Sequence, residues 1–311
     1  MEVLAIGVDI GGSHISCAAS DLSEKKYLGR THSESALDNQ GTPDEIISIW
    51  ARTILQTMQK LDGKKITGIG FAMPGPFDYV KGIGLFKGNN RKYERLNGVN
   101  VSLALRREMK LQDNISIRFI NDATAFALGE DWLGKAAGTK RSLSVTLGTG
   151  FGSAFLTDHL PLVTGDQVPE MGCLWYLPFR DGSADDYFST RGLLNRYHDK
   201  AGKSLTGVKE LTLMAKNEPL VQALFDDFGT SLGLFLQPWI EKAGIEILIL
   251  GGNISNAFGL FGESLKNYFT SHGIKTRIEV SGLGETSSII GSSLLADDEY
   301  YEKLLPAVKK M

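Results

Sequence analysis

Cysteine is scarce in this chain: Cys17 and Cys173 are the two among 311 residues, and they stand far apart. That excludes a disulfide framework and fits a reducing cytoplasm. Basic blocks are absent too. The 33 Lys and Arg are set against 36 Asp and Glu, for a net charge of −3. Neither nucleic acid nor an acidic membrane surface is expected as a partner. No apolar run approaches the roughly 20 residues of a membrane span. The opening Met1–Asp9 lacks the charged start and long apolar stretch of a signal peptide, and reads as a strand. Glycine, by contrast, is abundant, with 36 residues gathered in short turns between strands. Hydrophobic residues make up 42% and charged residues 22%, which is ordinary for a globular protein with a real core. The length suggests about two domains.

Val3–Ile10 is an apolar strand that carries Asp9 at its end. The turn Gly11-Gly-Ser-His14 follows, then a second strand from Ile15 to Ala19. A hairpin of this kind brings backbone N–H groups close to an anion at its tip. Asp9 is placed to hold a hydrated Mg²⁺, or to be a solvated turn residue. Leu143–Phe155 repeats the pattern of apolar strand, glycine turn with a small hydroxyl residue, and strand. This internal repeat predicts two related domains. Because a strand rather than a helix follows each set of glycines, a dinucleotide-binding dehydrogenase is excluded.

Thr42-Pro-Asp-Glu45 predicts a helix start with a capping box, and Ile46, Ile47, Trp50, Ile54, Met58 and Leu61 recur at helical spacing. Ile66–Ala72 is the next strand, ending in Pro74-Gly75-Pro76. Phe77–Asn97 reads as a loop with the polar cluster Gly88–Lys92, and Val101–Leu111 as an amphipathic helix. Ile115–Ile120 then forms a strand, and Asp122 stands directly before a helical run, Ala123–Leu133. Two roles fit Asp122: a helix N-cap, or a carboxylate aimed into a ligand crevice at a strand end. Further on, a helix begins at Asp185 and runs to about Tyr197. Val221–Glu241 is a long helix with Gly229 and Gly233 on one side, suited to close packing. Ile245–Asn253 is a buried strand ending in Gly251-Gly252, where an adenine or ribose has room to lie on the backbone. Ile274–Val280 is a strand, and Ile289–Lys310 a helix.

Asp9-Ile-Gly-Gly-Ser13, Pro74-Gly75, Asn121-Asp122, Leu147-Gly-Thr-Gly-Phe-Gly152 and Gly251-Gly252 together resemble the ROK family of bacterial sugar kinases and repressors, within the actin-like ATPase superfamily. The resemblance covers nearly the whole chain. It implies an α/β fold of two actin-like (ribonuclease H-like) domains, here 1–121 and 122–288, with the helix 289–311 packing back on the first. ATP, Mg²⁺ and a hexose would share the cleft between them. Asp122 matches the catalytic base, while Asn121, Glu170 and Asn90 match sugar-binding positions. Gly11, Gly12, Ser13, Gly148, Thr149 and Gly150 match phosphate-loop positions, with Mg²⁺ at Asp9 through water, and Gly251 and Gly252 match the adenosine-side turn. The implied protein is a cytoplasmic homodimer that phosphorylates a hexose or hexose derivative. Family repressors carry an N-terminal DNA-binding segment, for which a strand beginning at Val3 leaves no room.

The sequence departs from the family pattern in the sugar loop. Cys173 stands where many members have a zinc- and sugar-binding His. Leu174–Ala184 has none of the three zinc cysteines, so no zinc site is expected. Asp185 appears in place of a sugar-binding Glu. These departures keep two other readings in play, a non-catalytic sugar sensor and a polyphosphate-using glucokinase.

Overall fold

Two apolar strands joined by a glycine turn open the chain, and a third, largely exposed strand completes a meander. In the computed structural model, which describes residues 2–87 and 92–311, β1 (Leu4–Ile10), β2 (His14–Asp21) and β3 (Lys26–Ala36) run antiparallel. Helix α1 (Pro43–Gln59) follows. Thr42 caps it, Pro43 occupies its first turn, and the Thr42–Glu45 capping box is formed. Then come β4 (Ile66–Met73), the short ladder of β5 (Phe77–Asp78) and β6 (Ile83–Gly84), α2 (Val101–Met109), β7 (Ser116–Asn121) and α3 (Asp122–Trp132). The five-stranded sheet has the order β3-β2-β1-β4-β7, with β1, β4 and β7 parallel.

The second unit repeats this plan. Strands β8 (Arg141–Leu147), β9 (Phe151–Thr157) and β10 (Leu160–Pro161) form the meander. The small ladder of β11 (Pro178–Phe179) and β12 (Gly182–Ser183) precedes α4 (Ala184–Phe188), α5 (Thr190–Ala201), α6 (Val208–Met214) and α7 (Pro219–Ala243). Strand β13 (Ile247–Gly251), α8 (Phe258–Ser271) and β14 (Arg277–Val280) complete it, and the sheet order is β10-β9-β8-β13-β14. The repeat seen in two glycine hairpins is therefore a repeat of whole sheets. Gly229 and Gly233 do serve close packing: an added Cβ at Gly229 would lie 2.2 Å from the Phe261 carbonyl oxygen, and one at Gly233 2.6 Å from the Tyr268 ring.

Two expected helices are broken. The one expected from Asp185 to Tyr197 divides at Ser189, whose hydroxyl accepts from the Gly192 N–H and starts α5 afresh. The C-terminal one divides into α9 (Thr286–Ser293) and α10 (Asp298–Val308), because Asp297 caps a new helix through the Tyr300 N–H.

The residues up to Ala137 and Glu285–Met311 form one unit, and Gly138–Gly284 the other. The first unit thus extends beyond the 121/122 division read from sequence. The reason is packing: α3 crosses α9 backbone to backbone, with Gly129 facing the Ser287 carbonyl and Gly291 the Ala125 carbonyl. Helix α9 also covers the sheet at Gly7 and Gly70, where an added Cβ would meet Ile289 and Ser292 carbonyl oxygens at 1.7 and 1.8 Å. Among the described residues no helix is long and apolar enough to cross a membrane.

Candidate functional site

In the first unit the site grows from the ends of β1 and β7. Asp9 pairs with Ser16 across the hairpin and with Ala72 on β4. The Gly11 N–H donates to the His14 carbonyl at 3.0 Å and closes the turn, with Ser13 exposed at its tip. Asp9 is half-buried, and its carboxyl is pushed up to about 8 by burial and by the carboxylates of Asp122 and Glu285. Asp122 and Glu285 thus set a negative field at Asp9 that a cation would offset.

The start of α3 corrects the sequence reading. Asn121, not Asp122, is the N-cap: its Oδ1 accepts from the Thr124 N–H at 3.2 Å. The helix begins one residue earlier than expected, which puts Asp122 at its first position. Asp122 Oδ1 accepts from its neighbours, the Ala123 N–H at 2.8 Å and Asn121 Nδ2 at 3.0 Å. Burial raises the Asp122 carboxyl above its ordinary value, against the opposing pull of the Ala123 N–H, Lys92 and Asn121. With capping done by Asn121, the carboxylate at the strand end is left for other work.

The Asp9 shift has a consequence for stability. A carboxyl near 3.9 in the unfolded chain and about 8 when folded binds its proton more tightly in the native state. Its contribution is full below about pH 4 and is lost as pH rises towards about 8. Asp9→Asn, which cannot ionise, should therefore melt higher than the parent in chelator-treated protein. That advantage should grow from about pH 5 to about pH 8; thermal melts at both pH values check it, and a constant difference would contradict it.

In the second unit the glycine turn between β8 and β9 is fixed from two sides. The Thr190 N–H, at the start of α5, donates to the Gly148 carbonyl at 2.8 Å, and Asp185 Oδ1 accepts from the Phe151 N–H at 2.8 Å. Thr149 and Gly150 stay exposed at the tip. Asp185 Oδ2 is paired with Arg191 at 3.0 Å. Asp185, expected from the resemblance at the sugar, is thus engaged in holding this turn. Gly251 and Gly252 end β13, and Gly252 has φ +77° with its α-carbon so close to β8 that a Cβ would sit 2.4 Å from the Leu147 oxygen. In the loop expected from the resemblance at the sugar, Glu170 is exposed in a short turn, and the Cys173 thiol donates to the Met171 carbonyl at 3.5 Å. Asn90 lies outside the described residues.

Two residues near Asp9 and Asp122 escaped the sequence reading. Glu285 comes from the far end of the chain and acts on Asp9. Lys92 acts on Asp122, and its Cε would lie 3.2 Å from a Cβ on Gly12. Lys92 was legible only as part of a polar loop, and Glu285 carried no signal.

A sequence model of the ROK family matches residues 5–299. The chain belongs to the ROK family. Among curated ROK relatives, the N-acetylgalactosamine kinase of Shewanella sp. (strain ANA-3) is 27% identical, over 93% of this chain and 95% of its own. The glucokinase of Thermotoga maritima is also 27% identical, over 93% and 95%. In fold, this ROK chain is similar to the ROK hexokinase of Thermus thermophilus. The TM-score is 0.76 at 20% identity, over 96% of this chain and 100% of the other. The doubled sheet order and the two glycine hairpins are the ROK family's actin-like α/β architecture, as the sequence motifs implied.

Proposed function

We propose that this ROK protein is a sugar kinase that transfers a phosphoryl group from ATP to a hydroxyl of a hexose or hexose derivative, with Asp122 as the general base. The observation that carries the reading is the division of labour at the start of α3: Asn121 caps, so the Asp122 carboxylate stands at a strand end with its Oδ1 oriented by two donors. The kinase names of two relatives that align over more than nine-tenths of both chains support it.

A sugar hydroxyl is a weak nucleophile, and its proton must leave as its oxygen approaches phosphorus. Asp122 takes that proton, and its raised affinity for protons suits the task. Asn121, Glu170, Cys173 and Asn90 are the candidates for holding the remaining hydroxyls. On the donor side, the exposed turn Gly148-Thr149-Gly150 offers N–H groups to phosphate oxygens, and Gly251-Gly252 leaves bare backbone for the nucleoside. The turn Gly11-Gly12-Ser13 offers further N–H groups in the first unit.

Asp9 fits a magnesium ion held through water. It is a hard oxygen ligand in a negative field, and Mg²⁺ commonly keeps several waters while using one or two carboxylates. The absence, among the described residues, of a cluster of three or more side chains able to hold a metal directly is compatible with such a mode. When bound, the ion would offset the charge of the phosphates.

The deciding experiment measures ADP release, and polyphosphate consumption in parallel, over a panel of hexoses and N-acetylhexosamines. Turnover of at least one sugar with ATP is expected. No turnover together with a sugar-induced thermal shift would identify a sensor instead.

Asp185 gives a separate expectation. Asp185→Ala removes the acceptor of the Phe151 N–H, and a hydrogen bond to a charged group is worth roughly 1.5–3 kcal/mol. Loosening the turn should raise the KM for ATP about tenfold or more with the sugar KM little changed. A rise in the sugar KM alone would return Asp185 to the sugar site.

A further inference from the structure

We propose that Lys92 is a phosphate-binding residue of the transfer step, its ammonium contacting the phosphoryl group as it passes from the nucleotide to the sugar. This rests on the kinase reading above.

The placement of Lys92 is built rather than incidental. A Cβ on Gly12 would lie 3.2 Å from Lys92 Cε and 3.5 Å from Nζ, so the stem lies across the β1–β2 turn and carries its charge to the exposed backbone. The adjoining residue anchors it there. Tyr93 is fully buried, edge-on to Trp50 at 5.6 Å, and its phenol donates to the Gly11 carbonyl. The Tyr93 N–H donates to the Asn39 carbonyl at 3.2 Å, and the Asn39 amide donates to the Gly12 carbonyl. Two hydrogen bonds thus stitch Tyr93 and Asn39 to the glycine turn, a third ties these two residues to each other, and together they fix where Lys92 emerges. Its charge also reaches Asp122, the proposed base. One ammonium therefore lies at the glycine turn and also acts on the proton acceptor.

The chemistry gives that position a task. The negative charges of Asp122 and Glu285 both act on Asp9, and the donor's phosphates add more negative charge. Without a cation at the turn, bringing the phosphoryl group to a hydroxyl beside Asp122 would be opposed by like charge. In the step, the sugar oxygen forms its bond to phosphorus and its proton passes to Asp122. The bond from phosphorus to the bridging oxygen breaks, and ADP leaves with the electron pair. The Lys92 ammonium offsets the charge on the transferring oxygens. A compact ammonium on a flexible stem suits a group that moves during the step.

The test compares the wild type with Lys92→Met, Lys92→Arg and Lys92→Ala on the sugar turned over best. Lys92→Met should lower kcat by about 10²-fold, with the sugar Kd from calorimetry and the melting temperature close to wild type. Lys92→Arg should recover most of the loss, and Lys92→Ala should regain turnover when ethylamine is added, which lost packing alone would not produce. Retention of kcat within about threefold by Lys92→Met would overturn the proposal, as would a loss that neither arginine nor ethylamine relieves, or an effect confined to the sugar Kd. A wild type that phosphorylates no sugar would instead remove the kinase reading on which the proposal stands.

Discussion

Asp122→Asn is expected to lower turnover by about 10²-fold or more, because it removes the proton acceptor and little else. The structure explains why the fold should tolerate the change. Asn121 carries the helix cap, and an Asn at the first helical position keeps an oxygen for the Ala123 N–H. The sugar Kd and the melting temperature should stay close to wild type. Asn121→Ala is the complementary variant: it removes the cap at a cost of about 1 kcal/mol and with it one of the two donors that orient Asp122 Oδ1. The pH profile provides a second check. A base must be ionised to act, and burial raises the Asp122 carboxyl, so kcat/KM should fall on acidification at a pH above the ordinary carboxylate range. Near wild-type turnover by Asp122→Asn would make Asp122 a structural residue.

The largest stability effect is expected at Gly291. A Cβ there would lie 1.8 Å from the Ala125 carbonyl oxygen and 2.7 Å from the Gly129 nitrogen. Both are helix backbone atoms, which cannot swing aside as a side-chain tip does. Gly291→Ala must therefore push α9 away from α3, and overpacking of this kind costs about 3 kcal/mol or more. The same substitution at Gly259 on α8, which has nothing within 4 Å of its Cβ position, should be neutral or stabilise by about 0.5 kcal/mol. Denaturant midpoints of the two variants compare them directly. Equal midpoints would mean that the α3–α9 crossing yields easily.

What could be read from the sequence followed from how local each signal was. The glycine hairpins at Gly11 and Gly148, the Thr42 capping box and the strand expected over Ile245–Asn253, which formed as Ile247–Gly251, are each specified by adjacent residues. Strand β3, by contrast, was missed. It is an edge strand with exposed or half-buried residues along most of its length, so it carries no apolar alternation to detect. The cap at α3 was misassigned by one position because Asn and Asp are both good caps, and only the backbone turn decides between neighbours. Asp185 was placed by resemblance, whereas its partner, the Phe151 N–H, is 34 positions away. Lys92 and Glu285 gain their place from contacts distant in sequence, and no local pattern encodes those.

The first unit draws on both ends of the chain, with consequences for synthesis. Gly7 and Gly70 leave bare backbone on the face that Ile289 and Ser292 will cover. At ~5–20 residues per second, roughly 10–45 s pass between the emergence of Gly70 and that of Ser292. During that interval the segment Gly138–Gly284, which is continuous, is made in full, while the earlier sheet still waits for its covering helix. The later half is thus the first that can be completed at the ribosome, and the oldest strands are the last to be sealed. Chaperones acting on the nascent chain would meet that open glycine-lined face.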